Sequence, residues 1–100
     1  MSKVYISGPI TGVKGYDQIF KAAHTRLRLM GKDVLDLVDM TKDLTVQLEY
    51  ETYMKLAFAL IDDADEIYML RGWERSAGAN RELGYAIGKG KTVIYEYEKG

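Results

Sequence analysis

Cysteine is absent from this chain of 100 residues, which excludes a disulfide framework and a thiolate nucleophile and leaves stability to burial alone. A reducing compartment suits such a chain, and the expected location is cytoplasmic. Histidine occurs once, at position 24; without a second ligand at suitable spacing it reads as a surface or boundary residue, and neither a metal nor any other cofactor is expected. Long apolar runs are also missing. None approaches the roughly 20 residues that span a bilayer, and no charged leader precedes an apolar segment, so no membrane partner is expected. Nor is there an excess of one charge. The net charge is -1 and the Lys and Arg residues are scattered, which argues against polymeric nucleic acid and leaves small molecules as the expected partners.

What is present suffices for one core. With 47% hydrophobic residues, the expectation is one domain over residues 1–100. Lys3 to Ser7 (KVYIS) reads as a buried strand closed by the Gly8-Pro9 turn, with a loop from Gly8 to Gly15. From Tyr16, the apolar positions Ile19, Phe20, Ala23, Leu27 and Met30 recur at helical spacing up to Gly31. Asp33 to Leu37 alternates and reads as a short strand near the sheet edge, followed by an irregular connection from Val38 to Val46. Leu48 to Ile61 predicts a second helix that offers Tyr53, Leu56, Ala57, Leu60 and Ile61 on one face and ends at Asp62-Asp63. Glu66 to Leu70 and Thr92 to Tyr95 read as central strands, and between them Ser76 caps a helix that runs to Ile87.

The order β-α-β-α-β-α-β predicts a small α/β domain, flavodoxin-like or Rossmann-like, with three layers and a parallel sheet of about four strands. In such sheets ligands bind beyond the carboxyl ends of the strands, so loops 8 to 15 and 71 to 78 should converge on any site.

Two segments could carry chemistry. Ser7-Gly8-Pro9-Ile10-Thr11-Gly12 places glycines and hydroxyls directly after the first strand, where backbone N–H groups can approach a ribose or phosphate; the alternative is an ordinary strand-to-helix turn. Ser76-Ala77-Gly78 opens a helix whose free N–H groups favour an anion. Glu82 lies one and a half turns into that helix, bordering its apolar face, where a carboxylate could point into a cleft. The plainer reading gives Glu82 only the helix dipole, about 0.3–1 kcal/mol. Trp73, with Tyr68, Tyr85 and Tyr95, is either a base-stacking group or core and interface material, and Trp73 is the best stacking candidate because it lies on a loop.

Ser76-x-Gly78-x-x-x-Glu82-Leu83-Gly84-Tyr85-Ala86 resembles the signature of nucleoside 2-deoxyribosyltransferases and the related deoxynucleoside 5′-monophosphate N-glycosidases, and Tyr5-x-x-Gly8 resembles their second motif. The whole chain is also similar to a small, often phage-encoded, uncharacterised family of that superfamily, through Val4 to Gly12 and Gly72-Trp73-Glu74. The resemblance implies that Glu82 is a nucleophile attacking the anomeric carbon of a deoxyribose, that Tyr5 orients it, that Ser76 and Gly78 line the 5′ end, and that Gly8 and Ile10 border base and sugar. It implies a nucleoside or nucleotide as substrate and a homodimer or higher homo-oligomer. Enzymes of the superfamily carry an aspartate, thought to assist proton transfer to the leaving base, at the position of Ala57, eight residues ahead of Asp65; Asp62 and Asp63 read instead as solvated charges. The leading expectation is therefore N-glycosidic cleavage or deoxyribosyl transfer, with a non-catalytic nucleotide-binding module as the second reading and an interaction domain as the third.

Overall fold

The computed structural model describes residues 2–97. Its first strand, β1 (Lys3–Ser7), leads through loop 8–15 into α1 (Tyr16–Leu29), β2 (Asp33–Leu35), a short α2 (Leu37–Thr41) and α3 (Tyr50–Asp63). β3 (Glu66–Met69), a 3-10 turn (Trp73–Arg75), α4 (Ala77–Gly88) and β4 (Thr92–Tyr95) follow. All four strands are parallel, in the order β2-β1-β3-β4. The chain leaves β1 toward β2 and then returns past β1 to β3, so the direction of winding reverses between β1 and β3, where such sheets open a crevice at their carboxyl edge.

The alternation of β1 divides the core in two. Val4 and Ile6 pack with Phe20, Ala23 and Leu27 of α1 and with Leu70. Tyr5 faces the opposite side, with Ala57 and Ile61 of α3, Ile67 and Met69 of β3, and Ala79, Leu83 and Ala86 of α4. Helices thus cover both faces of the sheet, and the three-layer α/β expectation holds.

Several boundaries move for local reasons. The second strand stops at Leu35, not Leu37, because the Asp36 side chain accepts from the Asp39 N–H and caps a helix; the segment expected to be irregular therefore contains α2. An N-cap aspartate before Leu-Val is as strong a helix start as the alternation was a strand signal. α3 begins two residues later than expected, and the side chains it buries are Met54, Ala57 and Ile61, leaving Leu56 41% exposed. On α1, Phe20, Ala23 and Leu27 are buried while Ile19 and Met30 are exposed. β4 is an edge strand rather than a central one. His24 is the expected boundary residue, its Nδ1 lying 2.8 Å from Asp36 Oδ2. Among the described residues no helix is long and apolar enough to cross a membrane.

Candidate active site

At the carboxyl edge of β1, two side chains two residues apart point to the same face, as strand geometry requires. They are Tyr5 and Ser7, and both meet Glu82 of α4. The Tyr5 hydroxyl donates to Glu82 Oε2 at 3.0 Å, and the Ser7 hydroxyl donates to Oε1 at 2.5 Å. Each carboxyl oxygen thus has its own donor, and the residue is only 6% exposed. Burial works against the charge and the two hydroxyls work for it. Burial is the larger effect, and the Glu82 carboxyl is pushed up to about 7 from an ordinary 4.5, with Ser7, Tyr5 and the Arg81 charge holding it from going higher. A carboxylate at that value exchanges between charged and neutral forms near neutrality, a property concentrated at functional sites.

Other ionisable groups lie within electrostatic reach of it. Burial and the Glu82 charge keep the Tyr5 phenol protonated well beyond its usual range, and the Tyr53 phenol of α3 is raised in the same way. Asp36, 3% exposed at the end of β2, adds its charge to both phenols, and Tyr16 from the first turn of α1 acts on Tyr53.

The loops at the carboxyl edge are held by close contacts. A Cβ at Gly8 would lie 2.8 Å from both Cβ and Cδ1 of Leu70, so only glycine lets the loop after β1 pass the residue that follows β3. Gly72 has a φ of +88°, and a Cβ there would meet Pro9 at 3.6 Å, which shows loops 8–15 and 71–76 converging as expected. The Ser76 hydroxyl oxygen accepts from the Ala79 N–H at 3.1 Å, the expected helix cap. Asn80 Nδ2 donates to the carbonyls of Trp73, Glu74 and Ser76, fastening the 3-10 turn to α4. A Cβ at Gly78 would be in ordinary contact with Met54 and the Tyr50 hydroxyl. One turn on, Arg81 forms a two-pronged pair with Glu51 at 3.0 and 3.2 Å, which ties the start of α3 to α4 beside Glu82.

The match of residues 2–95 to the family described as Domain of unknown function (DUF4406) decides the family. The chain belongs to DUF4406. No curated protein matches it in sequence. In structure it is similar to the 2-deoxyribosyltransferase of the psychrotolerant bacterium Bacillus psychrosaccharolyticus, with a TM-score of 0.75 and 18% identity over 99% of this chain and 77% of that one. It is similar to the 2-desoxiribosyltransferase of Leishmania mexicana, with a TM-score of 0.72 and 19% identity over 95% of this chain and 63% of that one. It also resembles the CMP N-glycosidase of Clostridium botulinum, with a TM-score of 0.62 and 20% identity over 96% of this chain and 74% of that one. The fold of this DUF4406 chain is nucleoside 2-deoxyribosyltransferase-like.

Of the residues singled out in the sequence, Tyr5 and Glu82 are joined directly. Gly8, Ser76 and Gly78 stand in the surrounding loops and helix start. Ile10 packs partly against the α1-side core, and Trp73 lies half-buried against the other cluster, its ring 5.8 Å from that of Tyr95. Asp62 accepts from the Tyr85 hydroxyl at 2.7 Å, on the exposed side of the α3–α4 pair. Ser7, read in the sequence only as one of the hydroxyls of the loop after the first strand, pairs with Glu82, and Tyr53, within electrostatic reach of Glu82, is a neighbour that sequence reasoning missed. Ser7 was discoverable from its same-face spacing to Tyr5; Tyr53 had been absorbed into an apolar helix face. An open groove of about 530 Å³ between α1 and α2 is lined by none of Tyr5, Ser7 or Glu82 and belongs to a different surface.

Proposed function

We propose that this protein breaks or transfers the N-glycosidic bond of a deoxynucleoside or deoxynucleotide, with Glu82 as the nucleophile. The observation that carries the reading is a buried carboxylate whose two oxygens are each held by a hydroxyl from one strand. Held so, a carboxylate oxygen is aimed without rotational freedom, which lowers the entropic cost of attack. One Glu82 oxygen forms a bond to the anomeric carbon as the carbon–nitrogen bond breaks, and the bond's electron pair leaves with the base. Water or a second base then attacks the same carbon, the glycosyl ester opens and the carboxylate is restored. Tyr5 and Ser7 hold the nucleophile. Gly8, Ile10 and Trp73 border base and sugar, and Ser76 with Gly78 receives the 5′ end at the start of α4. No polymeric nucleic acid takes part, no metal or other cofactor is required, and the protein works as a homodimer or larger homo-oligomer.

The reading is tested by incubating wild type and Glu82→Ala with the four deoxynucleosides and their 5′-monophosphates and detecting free base by chromatography. Release by wild type alone supports it. Ala57, fully buried where superfamily enzymes carry an acid, favours the second reading, a binding module without turnover. Thermal stabilisation by a nucleotide with no base released would establish that one instead.

A further inference from the structure

Departure of a base from a deoxyribose places a bonding electron pair on the base, and a positioned donor stabilises that developing charge. The hydroxyls of Tyr5 and Ser7 have their protons directed at Glu82 and are committed to it. α3 presents only a methyl group at Ala57, which is closed off in the core. One turn earlier, on the same side of that helix, stands Tyr53, partly buried against the cluster that contains Tyr5 and Ala57. Among the described residues its hydroxyl has no hydrogen-bond partner, and because no buried polar atom lacks one, this hydroxyl reaches solvent. It is bonded to neither Glu82 oxygen, whose partners are Tyr5 and Ser7, yet lies within electrostatic reach of that carboxylate. The phenol also stays protonated there, and so remains a donor.

We propose that Tyr53 is a substrate-contacting residue whose hydroxyl donates a hydrogen bond to the departing base, filling on α3 the place where position 57 offers no acid. The inference rests on the glycosidic reading above. The step balances without a further acid: Glu82 bonds to the anomeric carbon, the electron pair goes to the base nitrogen, Tyr53 keeps its proton while sharing it, and the base takes its proton from water after release.

The test is leaving-group dependence. kcat/KM, which reports the step up to base departure, is measured for wild type and Tyr53→Phe on the best natural deoxynucleotide and on an activated analogue. That analogue is 5-nitro-substituted for a pyrimidine or N7-methylated for a purine, so that its base leaves without help. Tyr53→Phe should lose on the order of 100-fold on the natural substrate and stay within about threefold on the activated one. Equal losses on both, which a merely structural role would give, or no loss on either, would overturn the role of Tyr53 and leave the glycosidic reading standing. Absence of base release by wild type on every substrate would remove that reading and this inference together.

Discussion

A carboxyl group whose folded pKa is raised makes the protein less stable as it ionises, and Glu82 should show this plainly. Its pKa moves from 4.5 to about 7 through burial at 6% exposure. Between those two values the folded chain binds a proton that the unfolded chain has released, so stability falls as pH rises from about 4.5 through about 7 and is level beyond. At about 1.4 kcal/mol per pH unit, the whole change is about 3 kcal/mol. Glutamine at this position keeps the shape, and its amide still pairs with both hydroxyls, because a hydroxyl accepts as readily as it donates. Urea denaturation of wild type and Glu82→Gln at pH 4.5, 6, 7 and 8.5, followed by circular dichroism, isolates the ionisation of Glu82 from that of the other titrating groups. The variant should match wild type near pH 4.5 and exceed it by about 3 kcal/mol at pH 8.5. A difference that stays constant across the range would refute the desolvation argument. In base release by wild type, the same ionisation should appear as a rising limb centred near pH 7.

Ser7→Ala removes the donor to Oε1, so the variant should lose about 1–3 kcal/mol at pH 8.5, where Glu82 is charged, and less at pH 5; the activity limb should move to higher pH. Gly8→Ala forces a Cβ to within 2.8 Å of Leu70 and should destabilise by about 1–3 kcal/mol, with Leu70→Ala in the same chain recovering part of it in a double-mutant cycle. Asp36→Ala removes both the cap of α2 and the partner of His24, and calorimetry should show a loss of about 1–2 kcal/mol.

How much of this was legible in the sequence depends on whether one signal or two competed at a residue. β1, β4 and the capped start of α4 follow from unopposed patterns: a β-branched run before Gly-Pro, another after Gly88-Lys89-Gly90, and a serine before an alanine-rich helix. Asp33 to Leu37 carried both an alternation and a helix cap, and tertiary context chose the cap at Asp36. The edge position of β4 follows from strand order, which local sequence does not encode. Glu82 stood out through the motif around it, whereas its tie to Ser7 depends on register between a strand and a helix 75 residues away. Tyr53 was hidden because an aromatic residue at helical spacing reads as core, and here its side chain packs partly buried against the core while its hydroxyl reaches solvent.

The stability argument also bears on why a glutamate stands at this position at all. A leucine would fit the apolar side of α4, between Ala79, Leu83 and Ala86, and would avoid desolvating a charge. An uncharged amide would keep both hydroxyls paired. The glutamate keeps both hydroxyls paired but carries a buried charge: near neutral pH it costs the fold a few kcal/mol relative to that amide, a large share of what a domain of this size has in reserve. Structural roles for an acid do not require it to be buried, half-ionised and held at both oxygens. Burial and the two donors suit the nucleophile we propose, because desolvation leaves the ionised carboxylate more reactive and two fixed donors keep it aimed. The same reasoning makes Ser7 more than a packing residue, since without it the second oxygen would be buried and unpartnered whenever the group is charged.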